Sequence, residues 1–140
     1  MDTENIQGSS AGQINNESNR ALILIAEDTD SNFILENSLL KKMYTVERAL
    51  DGIEAIEKCQ AINPDLILMD MQMPRMDGLE ATKKIREFNK NVPIIAVTAF
   101  AFEQDKINAL AVGCNTYVSK PISILGFKRT VAEELAKIGK

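Results

Sequence analysis

At 140 residues, with 45% hydrophobic and 26% charged side chains and a net charge of −4, the chain suits one globular domain; it carries no Lys/Arg cluster of the kind that direct nucleic-acid binding requires. The absence of histidine excludes every His nucleophile, His general base and His metal ligand, leaving carboxylate, hydroxyl and lysine chemistry. The apolar runs are too short to span a bilayer, the N-terminus is polar and acidic, and the two cysteines form no CxxC pair, so the expectation is a cytoplasmic domain with no membrane contact.

Residues 1–20 are rich in Asn, Gln, Ser and Gly, with Ile6 and Ile14 the only large aliphatics, which predicts a disordered tail or linker. Residues 21–140 read as one domain in which short apolar runs alternate with helical periods. Ala21–Ala26 is the first predicted strand, and Ser31–Lys41 a weakly patterned helix. Tyr44–Arg48 is a more mixed run, as expected of a strand near an edge. Ala55, Ile56, Cys59 and Ile62 form a helical stripe, which makes Cys59 a core thiol, and Pro64 stops that helix before the run Asp65–Asp70. Ala81, Ile85 and Phe88 form the next stripe, followed by the run Pro93–Thr98. Phe102–Val112 is a second weak helix, Asn115–Ser119 a fifth strand, and Ile124, Phe127, Val131, Leu135 and Ile138 the longest stripe. Short crossovers between strands force parallel pairing and right-handed connections. The fold class predicted is therefore α/β, a five-stranded doubly wound parallel sheet in order 2-1-3-4-5.

Ligands of such sheets bind outside the carboxyl ends of the strands. There the first run ends in Glu27 and Asp28, the third in Asp70, the fourth in Thr98 and the fifth in Lys120, whereas the second, ending near Ala49 and Leu50, offers nothing polar of this kind. Singly, each has an ordinary reading: Asp28 or Asp70 caps a turn or helix, Thr98 bonds backbone, Lys120 is a solvated charge. Together the three carboxylates repel, at ~4 kcal/mol per pair for ~4 Å separation and an effective dielectric near ~20. Lys120 offsets one charge; a divalent ion favoured by hard oxygen ligands, Mg²⁺, would offset the rest. A carboxylate surrounded by Mg²⁺, a lysine and a hydroxyl has the parts of a phosphoryl-transfer site.

The motifs at these positions are Leu24-Ile25-Ala26-Glu27-Asp28, Leu68-Met69-Asp70-Met71-Gln72-Met73-Pro74, Met76-Asp77-Gly78-Leu79-Glu80, Val97-Thr98-Ala99 and Tyr117-Val118-Ser119-Lys120-Pro121. In this order they make the stretch from about Ala21 to Lys137 resemble the receiver domain of two-component response regulators, with its flavodoxin-like fold. The resemblance implies a phosphoacceptor signalling domain rather than an enzyme, one that catalyses its own phosphorylation and slow dephosphorylation. Asp70 would accept the phosphoryl group from a phosphohistidine on a histidine kinase or phosphotransfer domain. Asp28, Asp70 and the backbone carbonyl of Gln72 would hold Mg²⁺, with Glu27 acting mainly through water. Lys120 would pair with Asp70 and then with the phosphoryl oxygens. Thr98 and Tyr117 would form the switch, and Lys120-Pro121 resembles the family's cis peptide. Gln72 and Phe100 would flank the path of a hydrolytic water, with Phe100 excluding it.

The segment Lys42-Met43-Tyr44 lacks the glycine often found before the second strand. The run Glu27-Asp28-Thr29-Asp30-Ser31-Asn32 resembles the first loop of receivers attached to hybrid histidine kinases, which favours a receiver excised from such a kinase over a freestanding single-domain regulator. Three other readings compete. Asp28-Thr29-Asp30-Ser31-Asn32 looks like the start of a calcium loop, but Phe33 stands where glycine is needed and Leu39 where glutamate is needed. A haloacid-dehalogenase-type phosphatase would use Asp28 and Asp30. A pseudo-receiver would bind partners without phosphorylation.

Overall fold

Runs of branched aliphatic residues extend readily, and five of them pair into one parallel sheet in a computed structural model that describes residues 20–99 and 102–140. The strands are β1 (Leu22–Ala26), β2 (Thr45–Ala49), β3 (Leu66–Asp70), β4 (Ile94–Thr98) and β5 (Thr116–Ser119), in the order β2-β1-β3-β4-β5. The helices between and after them are α1 (Asp30–Leu40), α2 (Gly52–Ile62), α3 (Gly78–Phe88), α4 (Glu103–Ala111) and α5 (Ile124–Ala136). Every predicted strand and both weakly patterned helices lie within one or two residues of these bounds. Residues 1–19, the bulk of the predicted tail, lie outside the described residues. Among the described residues no helix is long and apolar enough to cross a membrane.

The period-2 alternation of the strands divides the core into two layers. Leu24, Ala26, Ile67, Met69, Ile94 and Ala96 face Ala55 and Cys59 of α2, Ala81 and Ile85 of α3 and Ala109 of α4. The intervening residues Ile23, Ile25, Leu66, Leu68, Ile95 and Val97 face Leu40 of α1 and Phe127, Val131 and Leu135 of α5. Burial of each large side chain contributes about 1.5–3 kcal/mol, so these two layers dominate the favourable side of folding. The central strands β3 and β4 are buried throughout, while β2 alternates between exposed and half-buried positions up to its buried last residue, Ala49, as its mixed sequence predicts for an edge.

Three apolar residues assigned to helical stripes are not in the core. Phe88, Ile124 and Ile138 are 43%, 53% and 41% exposed. Phe88 closes α3, Ile124 opens α5, and Ile138 follows the end of α5 at Ala136.

Local signals set the boundaries. Asp51 and Asp77 cap α2 and α3, their side chains accepting from the amides of Glu54 at 2.8 Å and Glu80 at 2.9 Å. Each cap is worth about 1 kcal/mol. After α2, Asn63 turns into the left-handed region at φ 51° and Pro64 prevents the helix from continuing. The tight turn at Lys42-Met43-Tyr44 needs no glycine, because the amides of Met43 and Tyr44 both bond the Leu40 carbonyl, at 3.1 and 2.9 Å. Cys59 and Cys114 are both buried and free, and burial pushes both thiols above their ordinary pKa, Cys114 to about 11.

Candidate functional site

Parallel strands end on one rim, and here the rim gathers the residues with chemistry. Asp70 is the last residue of β3 and is 2% exposed. Glu27 and Asp28 follow β1 directly. The Glu27 amide continues the sheet, donating to the Ala49 carbonyl at 3.0 Å, and this draws its side chain down to 1% exposure. Asp28 stays exposed. One carboxylate oxygen from each of Glu27, Asp28 and Asp70 falls within 4.8 Å of the others. Lys120 leaves the end of β5, its amide donating to the Thr98 carbonyl at 2.8 Å, and the Lys120–Pro121 peptide is cis. Its ammonium stands 3.3 Å from Asp70 Oδ2 and 3.3 Å from Glu27 Oε1. Thr98, at the end of β4, is buried beside this group.

The second oxygens of Asp70 and Glu27 accept from nearby donors. Asp70 Oδ1 accepts from the Gln72 amide at 3.1 Å. Glu27 Oε2 accepts from the Thr29 amide at 3.2 Å and from Asn32 Nδ2 at 3.5 Å. The loop after β3 is fastened at both ends. A Cβ on Gly78 would collide with the Asp70 carbonyl oxygen, so α3 begins hard against the backbone of Asp70. Farther along, Arg75 is held at φ 63° while its guanidinium pairs with Asp51 at 2.6 Å. Beside the acids opens a cavity of about 590 Å³ whose lining includes Asp28, Gln72, Thr98 and Tyr117. Tyr117 is half-buried on β5, with the Lys106 ammonium 4.8 Å from its ring centroid.

Burial pushes the Asp70 carboxyl up to about 6; the Gln72 amide opposes this, the Glu27 carboxylate adds to it and the Lys120 ammonium opposes it. For Lys120, burial favours the neutral amine, but Asp70 and Glu27 outweigh it and raise the pKa, so the ammonium keeps its proton. One ammonium among three carboxylates leaves an excess of negative charge at a partly open rim. Hard, anionic oxygens in that number fit a small divalent cation.

Glu27, Asp28, Asp70, Thr98 and Lys120 thus meet at one rim as the strand ends predicted, with Gln72 and Tyr117 alongside; Phe100 lies outside the described residues. Asp30 does not join them. Its carboxylate is 83% exposed and pairs with Arg48 at 2.9 Å, which removes the second acid of a dehalogenase-type pair and a ligand of the calcium loop. Two charged residues near the site were not read from the sequence. Glu36 lies buried on α1, and burial, with Glu27 and Asp70 adding to it against Lys120, pushes its carboxyl up to about 8. The one signal for it was a glutamate on the inner face of a poorly amphipathic helix. Arg48, on the strand read as silent, reaches back to the Glu27 carbonyl at 3.0 Å.

Known proteins match the chain in sequence and in fold. The response regulator receiver domain family matches residues 23–131. The polar-differentiation response regulators DivK of Brucella anthropi and Brucella abortus are each 39% identical over 116 residues, covering 81% of this chain and 94% of theirs. The receiver domain of a sensor histidine kinase from Pseudomonas aeruginosa, solved with magnesium coordinated in its active-site cleft, is 34% identical with a TM-score of 0.78, over 84% of this chain and 98% of that one. A receiver domain of a Saccharomyces cerevisiae response regulator, co-crystallised with a histidine phosphotransfer protein, is 32% identical with a TM-score of 0.79, over 84% of this chain and 90% of that one. With the fold and the matched length in agreement, the chain belongs to the response regulator receiver domain family of two-component signalling.

Proposed function

We propose that Asp70 is the phosphoacceptor and that the chain itself assists the transfer. The observation that carries this is the arrangement around Asp70: a buried carboxylate with one oxygen held by the Gln72 amide and the other 3.3 Å from the Lys120 ammonium. Asp28, Asp70 and the Gln72 carbonyl would hold Mg²⁺, with Glu27 acting through water; the ion, when bound, would neutralise charge on the phosphoryl oxygens. The Asp70 carboxylate oxygen forms the new bond to phosphorus as the phosphorus–nitrogen bond of a phosphohistidine breaks, and the bonding pair returns to the imidazole, which takes up a proton. The Lys120 ammonium, relieved of its contact with the free carboxylate, turns to a phosphoryl oxygen. The Thr98 hydroxyl donates to another.

Thr98 and Tyr117 serve as the switch, since both border the cavity beside Asp70. Gln72 borders the path of a hydrolytic water, and the apolar side chain of Phe100, two residues after Thr98 in sequence, slows hydrolysis. The donor is a phosphohistidine on a histidine kinase or phosphotransfer domain, a reading supported by the yeast receiver solved with its phosphotransfer protein. The setting is cytoplasmic, where such donors work. The DivK regulators, matched over 94% of their length, support a freestanding regulator, and the Pseudomonas aeruginosa sensor-kinase receiver supports a hybrid-kinase origin. Incubation with Mg²⁺ and acetyl phosphate tests the assignment. Wild type gains one base-labile phosphoryl group and Asp70→Asn gains none; undiminished labelling of Asp70→Asn overturns it.

A further inference from the structure

Residues 27–29 lie between the end of β1 and the start of α1, outside regular structure, yet they carry two of the three clustered acids. Within the loop the Thr29 amide donates to Glu27 Oε2 at 3.2 Å, and the Thr29 carbonyl accepts from the Phe33 amide at 3.0 Å; neither bond involves Asp28. Thr29, the residue preceding α1, makes no side-chain cap bond, and Asp28, the exposed member of the acid cluster, is repelled by the other two carboxylates. One side chain from another strand does reach the loop. Arg48 of β2 donates from Nε to the Glu27 carbonyl at 3.0 Å, places Nη2 2.9 Å from Asp30 Oδ1, and lays its guanidinium 4.6 Å from the centroid of the Phe33 ring. These three contacts bracket Asp28 on both sides. They are unequal: the Asp30 carboxylate is exposed and its pair is screened, whereas the charge-assisted bond to a backbone carbonyl and the stacking on Phe33 are partly buried.

We propose that Arg48 is a positioning residue for the metal site, clamping the Glu27–Asp30 segment so that the Asp28 and Glu27 carboxylates stay aimed at the ion that the reading above places there. The clamp uses features that only arginine combines, a planar donor fork and a face that stacks. Lysine would keep the charge and lose both. The orienting partner of a ligand typically governs about 10–100-fold in metal affinity, and a clamp acting through backbone belongs at the lower end of that range.

The test is binding of Mn²⁺, in place of Mg²⁺, followed by loss of the free-ion EPR signal below the melting temperature of every variant. Wild type binds, Arg48→Ala and Arg48→Lys each bind about tenfold more weakly, and Phe33→Leu, which removes the stacking face alone, shifts affinity the same way by less. A merely structural role for Arg48 would lower melting temperature and leave the affinity of the folded protein unchanged. Equal affinity in wild type and Arg48→Lys overturns the clamp, as does an unchanged Phe33→Leu. If wild type itself takes up no Mn²⁺, the metal reading falls and the clamp with it.

Discussion

Lys120 is shared between Asp70 and a second buried acid: its ammonium lies 3.3 Å from Asp70 Oδ2 and equally close to Glu27 Oε1. A single cation divided in this way cannot neutralise both carboxylates and Asp28 as well. The rim therefore holds unbalanced charge until something positive arrives, and several consequences are measurable.

Metal should stabilise the fold through mass action. A ligand at about a hundred times its dissociation constant adds about 2.7 kcal/mol to the folded state. Mg²⁺ titration is expected to raise the melting temperature by several degrees, and Asp28→Ala to abolish most of that rise. The same variant should melt at or above wild type without metal, because it removes one of three repelling charges. A melting temperature indifferent to Mg²⁺ well above millimolar levels contradicts the metal assignment.

Glu36 gives a pH dependence whose sign is fixed. Burial holds its folded pKa at about 8 against an ordinary 4.5. Between those values the folded chain keeps a proton that the unfolded chain has released, so stability falls as pH rises through this window. Glu36→Gln removes the loss. Metal-free Glu36→Gln is expected to melt above wild type at about pH 8 and close to it at about pH 4, with the gain at the higher pH on the order of a few kcal/mol. Equal effects at both pH values would contradict the shift. Asp70, raised to about 6, adds a smaller loss in the same direction across its own window.

Phosphorylation signals only if its binding energy favours one of two arrangements. Tyr117 borders a cavity of about 590 Å³ continuous with the acidic rim, which gives its ring room to move. Amide resonances are therefore expected to shift on addition of beryllofluoride, from Asp70 through Thr98 and Tyr117 to residues about 102–127. Shifts confined to the loops after β1, β3 and β4 would show that the site is uncoupled from α4 and β5.

Hydrolysis of an acyl phosphate needs a water in line with the breaking bond. Phe100, two residues after Thr98, offers no hydrogen bond to orient one. Phe100→Glu and Phe100→Ala are expected to shorten the phosphorylated lifetime severalfold, measured as decay after donor removal in excess Mg²⁺. Equal lifetimes in all three proteins would exclude the gate.

The strands were legible because β1, β3 and β4 are buried on both faces and their sequences are nearly uninterrupted aliphatics. With their order known, the rim residues could be located at the last position of each run or the one or two that follow it. Helix ends were less legible: the apolar periodicity continues through Phe88, Ile124 and Ile138, which stand exposed at or beyond the helix ends. Arg48 and Glu36 were missed for another reason. Their roles depend on contacts across 21 residues of sequence for Arg48 and Glu27, and on depth beneath the rim for Glu36, neither of which leaves a spacing to read.

The identity of the acceptor is most directly tested by reductive trapping. Borohydride reduces an acyl phosphate to an alcohol, converting a phosphorylated aspartate to homoserine. Wild type treated with Mg²⁺ and acetyl phosphate, then borohydride, should yield homoserine at position 70 alone, and none when Mg²⁺ is removed with EDTA. Homoserine at Asp28 or Asp77 instead, or phosphate incorporated with no homoserine anywhere, would contradict Asp70 as the phosphoacceptor.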